Sequence, residues 1–148
     1  MSLILQPGVL EQVLRHGEQA YPHECCGLLL GAMRGDSARV VSAIRRMRNA
    51  NTESPRIRFD FDPREHLAAQ REAREQGLEI VGFYHSHPDH PARPSPTDLE
   101  RAAWPGYSYL IVSIVAGSAA ATGTANSFEL AEDRSRFLPE PIETPAAN

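Results

Sequence analysis

Three side chains near the middle of the chain have the types and spacing to bind one metal ion. His85 and His87 lie two apart, and Asp98 follows eleven residues later. In an extended strand, residues two apart point to the same face. Two imidazoles on one face can therefore reach one ion. Two histidines and a carboxylate leave a fourth tetrahedral position for water, the pattern of a catalytic rather than a structural zinc. Such an ion acidifies its water and polarises a carbonyl. A base is still needed, and Glu24 is the candidate. It stands where a polar loop enters an apolar strand, and a carboxylate there is costly without a partner or a task.

The elements that must position these groups are legible in outline. "EIVGFYHSH" reads as a strand that ends on the two histidines. The loop after it carries Pro88, Pro91, Pro94 and Pro96, so it is stiff enough to fold the next helix back onto the strand end. "SPTDLERAAW" opens that short helix, with Ser95 at the N-cap, Pro96 at the first turn and Asp98 completing a capping pair. Residues 8–20 place Val9, Val13, Leu14 and Ala20 near one helical stripe. "DPREHLAAQREAREQG" is the clearest helix, capped by Asp62, with Pro63 at its first turn and Gly77 at its end. "CCGLLLGA" suits a buried strand, "ARVVSAIRRMR" continues as another, and "RIRFDFD" alternates with Ile57, Phe59 and Phe61 on one face. "YSYLIVSIVA" and "ANSFELAE" are late strands. From Phe137 a proline-rich tail is expected to fray, giving a domain over 1–138 and a tail over 139–148. Strands and helices mix without a βαβ alternation, so the fold class is α+β.

Bulk properties narrow the function classes. A chain of 148 residues, 41% hydrophobic and 23% charged, suits one soluble globular domain. No apolar run is long enough to span a bilayer, and "MSLILQPGVLEQ" has no basic n-region, so neither a membrane role nor a signal peptide is expected. The net charge of −4 argues against a nucleic-acid partner. Cys25 and Cys26 are the only cysteines, and adjacent cysteines give no disulfide framework. A cytoplasmic setting is the simplest reading.

The order of these residues resembles the JAMM (MPN-plus) metallopeptidases: a glutamate opening "ECCGLLLG", then "HSH", seven residues, and "SPTD". The resemblance runs over nearly the whole chain and is nearest to the small prokaryotic members, without the long insertions of the eukaryotic deubiquitinases. It implies a mixed, curved sheet flanked by helices and one zinc per chain held by His85, His87 and Asp98. It implies Glu24 as general base and then acid toward the leaving amine, and Ser95 as a donor to the oxyanion. It implies hydrolysis of peptide or isopeptide bonds at the C-terminus of a ubiquitin-like or sulfur-carrier protein. The alternative within the family is a non-catalytic scaffold, which the complete motif disfavours. A base deaminase would need H-x-E with a later C-x-x-C, which the chain lacks.

Other polar residues have plainer readings. Asp89 and His90 fall outside the motif register and are loop residues. His23, Cys25 and Cys26 read as packing rather than a second metal site. Arg45, Arg46 and Arg48, with Arg56 and Arg58, read as a solvated strand face, with an acidic partner protein as the other possibility.

Overall fold

The computed structural model describes residues 1–55, 60–119 and 125–146. One mixed sheet runs through the molecule. Its strands are β1 (Ser2–Leu5), β2 (Cys26–Arg34), β3 (Ala38–Met47), β4 (Glu79–Pro88), β5 (Ser108–Ile114), β6 (Ala125–Leu130), β7 (Phe137–Glu140) and β8 (Ile142–Glu143), in the order β7-β6-β5-β4-β2-β3-β1-β8. Pairs β4–β5, β1–β3 and β1–β8 are parallel, and the others are antiparallel. The helices are α1 (Val9–Ala20), α2 (Pro63–Glu75) and α3 (Pro96–Arg101). The expected α+β class with a mixed sheet is what the chain adopts. The "RIRFDFD" strand falls largely on residues 56–59, outside the described residues.

Each face of the sheet has its own core, because alternate strand residues point opposite ways. On one face α1 buries Val9 and Val13 against Leu29, Tyr84, Leu110, Val112 and Ile114. On the other, α2 buries Ala69 and Ala73 against Leu28, Leu30 and Phe83. Cys25 belongs to the first core and Cys26 to the second, so both are packing residues. The α2 termini form as the sequence predicts. The Asp62 carboxylate accepts from the Arg64 N–H at 2.8 Å, Pro63 opens the helix, and Gly77 follows its end at φ +73°.

The proline-rich end does not fray. Phe137–Glu140 pairs with β6 on one edge of the sheet, and Ile142–Glu143 pairs with β1 on the other. Pro141 alone separates these strands in sequence, so the sheet curls until its edges nearly meet. The reason is electrostatic as well as geometric. Arg39 of β3 is buried, and its guanidinium reaches Glu129 at 2.8 Å, Glu140 at 3.3 Å and the Ser108 hydroxyl at 3.2 Å. The Ser127 hydroxyl donates to the other Glu140 oxygen at 2.6 Å. A buried charge needs such partners, and the tail supplies one of them. Composition alone hides this, because Glu140 and Ile142 are single anchoring side chains within a proline-rich segment. The strand β1 was likewise not apparent in the sequence, since "SLIL" is short and sits at the chain end.

Candidate metal centre

β2 and β4 run antiparallel with Cys26 opposite His85. Continuing that register sets residue 25 opposite 86 and residue 24 opposite 87. Two hydrogen bonds hold it there: the Ser86 N–H donates to the Cys25 carbonyl at 3.1 Å, and the Cys25 N–H donates to the Ser86 hydroxyl at 2.8 Å. Ser86 is fully buried and points away from its two histidine neighbours. Its position between them was a signal in the sequence, since a strand residue between two inward histidines must face the other core.

α3 brings in the carboxylate. Ser95 and Asp98 form a full capping box: the Asp98 N–H donates to the Ser95 hydroxyl at 3.0 Å, and the Ser95 N–H donates to the Asp98 carboxylate at 2.8 Å. The cap orients Asp98 so that one oxygen lies 3.3 Å from His85 Nε2 and the other 3.0 Å from His87 Nε2. The two Nε2 atoms are 3.1 Å apart. Glu24 completes the group, and its ligand atom and those of His85, His87 and Asp98 all lie within 4.8 Å of one another.

The donors fit a zinc ion. His87 Nδ1 lies 2.8 Å from the Pro91 carbonyl, which can only accept, so Nδ1 carries a proton and Nε2 is the atom left to offer a lone pair to a cation. Glu24 Oε2 is buried and has no hydrogen-bond partner among the described residues. A carboxylate oxygen buried without a partner, in one group with two imidazoles and a second carboxylate, belongs to a donor set that a cation would satisfy. Nitrogen and oxygen donors in this number suit zinc.

The comparisons with known proteins give the same family. The family model for prokaryotic homologues of the JAB domain matches residues 6–130. The chain belongs to this family. It is the JAMM group that the motif order resembles, whose members in general depend on zinc. The chain is 39% identical over 115 residues to a desampylase of Haloferax volcanii, covering 75% of this chain and 80% of the relative. It is 34% identical over 104 residues to a probable TtuB-protein conjugate cleaving protease of Thermus thermophilus, covering 70% and 66%. Among solved structures, protein DSY2949 of Desulfitobacterium hafniense superposes with a TM-score of 0.82 at 36% identity, over 98% of this chain and 94% of that one.

Electrostatics in this JAB-family cluster follow from burial. Burial pushes the Glu24 carboxyl up to about 8, with Asp98 adding to the rise and His87 opposing it. Burial pulls His85 down and so favours its neutral form, the form a metal ligand would need. Burial also pulls on His87, but the Asp98 hydrogen bond and charge outweigh it and the net direction is up. Burial would raise Asp98 too, yet its hydrogen bonds to both histidines hold it far below the usual carboxylate range.

The remaining polar residues stay outside the cluster. Asp89 accepts from the Tyr21 hydroxyl at 2.6 Å and the Ala116 N–H at 2.7 Å, and so ties down the loop. The His90 carbonyl accepts from Ser113 at 2.6 Å. Burial pushes the Cys25 thiol up to about 11, so it stays a protonated packing residue at neutral pH. Arg45 is paired with Glu65 and Glu72, Arg48 lies 3.9 Å from Asp62, and Arg46 donates to the neutral Gln19 side-chain oxygen, so much of the basic stretch is engaged by its own chain. Arg56 and Arg58 lie outside the described residues. No helix among the described residues is long and apolar enough to cross a membrane.

Proposed function

We propose that this chain is a zinc-dependent peptidase that hydrolyses peptide or isopeptide bonds at the C-terminus of a ubiquitin-like or sulfur-carrier protein. The observation that carries the reading is the buried Glu24 carboxylate oxygen, without a partner among the described residues, beside His85, His87 and Asp98. The names of the relatives, a desampylase and a conjugate-cleaving protease, supply the substrate class.

In this reading His85, His87 and Asp98 hold one zinc per chain. When bound, zinc supplies a Lewis acid that polarises the substrate carbonyl and acidifies a water. The other tasks fall to side chains. A neighbouring cation favours the carboxylate form of Glu24, which then accepts the proton that water loses as its oxygen bonds to the carbonyl carbon. Glu24 returns that proton to the nitrogen as the C–N bond breaks, so the products are a carboxylate and a free amine. Ser95 already accepts from the Asp98 N–H, and among the described residues its own hydroxyl proton has no acceptor. That proton can be donated to the developing oxyanion while the cap stays intact. The Pro91 carbonyl fixes the His87 tautomer throughout.

The test is direct. Zinc-loaded protein is incubated with ubiquitin-like proteins bearing C-terminal extensions, and cleavage is followed by mass spectrometry. Release of the extension at the carrier's C-terminus supports the reading. A protein that binds no zinc and cleaves none of them is a scaffold instead.

A further inference from the structure

An apolar cleft of about 310 Å³ opens beside the metal cluster and shares His85 and Asp98 with it. It arises from the same alternation that aligns the histidines. Phe83, His85 and His87 point to one face of β4, and Tyr109 and Ile111 stand opposite Phe83 and His85 on β5. Aromatic rings build the wall. Trp104 stacks on Phe83 at 5.1 Å and 24°, Phe83 meets Tyr109 at 5.4 Å, and Tyr109 meets Phe137 at 5.2 Å. The Tyr109 hydroxyl accepts from the Trp104 backbone N–H at 3.1 Å and donates to the Trp104 backbone carbonyl at 3.0 Å, so the main chain that carries the indole is held against the wall. Trp104 nevertheless remains 43% exposed. Among the described charged lining residues, Arg101 is the cation, and it is paired with Asp60.

We infer that this cleft is a specificity subsite that takes one large apolar side chain from the acyl side of the scissile bond, with Trp104 as its main determinant. The inference rests on the peptidase reading for the word acyl. Glu24, which hands its proton to the leaving amine, is absent from the cleft lining, whereas His85 and Asp98 are part of it. The leaving group therefore lies toward Glu24, and the cleft takes the other half of the substrate. The occupant is apolar because the aromatic walls offer dispersion and dry surface, while an acidic side chain packed on those rings would lose its water and find no unpaired cationic side chain among the described residues along that wall. A cleft of this size suits one side chain rather than a folded surface.

Trp104 is the only tryptophan, so its fluorescence reads occupancy without turnover. The full-length, zinc-loaded protein is titrated with Gly/Ser peptides ending in a free carboxylate, the form an acyl-side product takes. Each carries one Phe, Leu, Gly or Asp guest at one of its last few positions. At one position Phe or Leu is expected to bind at least ~10-fold tighter than Gly, the scale of burying one large apolar side chain. Asp should bind more weakly than Gly, and Trp104 emission should shift on saturation. The same guests in peptides extended past the scissile bond should change kcat/KM by a similar factor. That preference should vanish in Trp104→Ala with zinc content unchanged. The subsite is overturned if no position discriminates among the guests, if Asp matches Phe, or if binding seen by calorimetry leaves Trp104 emission unmoved. Cleavage without a guest preference removes the subsite and leaves the peptidase. Guest-selective binding with no cleavage of any extended peptide removes the peptidase and leaves the subsite.

Discussion

Glu24 and His87 lie 63 positions apart in sequence and stand opposite each other where the β2–β4 register, anchored at Cys26 and His85, runs out. Both side chains face the side of the sheet that α2 and α3 cover. Their ligand atoms fall within one cluster with His85 and Asp98. The proposed base is thus delivered by strand pairing, and the proposed ligands by strand alternation and a helix cap.

The cluster should hold about one zinc per chain as purified. His87→Ala should lose most of it, since one histidine and one carboxylate remain as ligands. Metal analysis after exhaustive dialysis checks this. Stoichiometric zinc at unchanged affinity in the substituted protein would refute the ligand assignment.

Glu24→Gln keeps the shape and removes the charge. Zinc should be retained and hydrolysis lowered at least ~10²-fold, the low end for a positioned acid–base group. A fully active Glu24→Gln protein would remove Glu24 from the proton path.

The same substitution has a pH signature in the metal-stripped protein. Glu24 titrates at about 8 when folded and at 4.5 by its ordinary value. Between those values the unfolded chain has lost this proton and the folded chain still holds it. Stability attributable to Glu24 therefore falls as pH rises from about 4.5 to about 8. Stripped Glu24→Gln should accordingly gain in melting temperature relative to stripped wild type across that window, and the gain should level off above it. A wild-type minus Gln difference that is flat with pH would show that the carboxyl is not buried as described.

Ser95 caps α3, and its hydroxyl proton remains free for a second role. Ser95→Ala removes both functions and should cost about 1 kcal/mol of stability. Ser95→Gly costs a capped helix only a few tenths of a kcal/mol, and Pro94 and Pro96 limit the flexibility it adds. It should melt near wild type, bind zinc normally and still turn over ~10²–10³-fold more slowly. Wild-type turnover by Ser95→Gly would leave Ser95 as a cap alone.

Truncation after Leu138 should be damaging. It removes β8 and the Glu140 carboxylate, leaving the buried Arg39 guanidinium short of a partner. Breaking a buried ion pair costs roughly 3–5 kcal/mol, on the order of 10 °C in melting temperature. A truncated chain that melts with the full-length one would show that Glu129 and Ser108 suffice for Arg39.

What the sequence determined by itself was local. His85 and His87 share a face because strand geometry has period two, and any strand would align them. Ser95, Pro96 and Asp98 announce a helix start because capping is a contact between neighbours. Asp62, Pro63 and Gly77 bound α2 for the same reason. Charge and length excluded broad classes, and the order of the motif pointed to the family. Tertiary structure alone decided the relations across the sheet. Nothing near Glu24 says that it will face His87, because that depends on which strand β2 pairs with and in which register. Nothing near Glu140 says that it will answer Arg39, because the curl that brings the two sheet edges together is a property of the whole sheet. The aromatic cleft is a middle case. "VGFYHSH" already aligns Phe83 with the histidines, but Trp104, Tyr109 and Phe137 reach it only when α3, β5 and β7 close around it. Hydrogen-bond register and burial are nonlocal, and no window of sequence contains both partners.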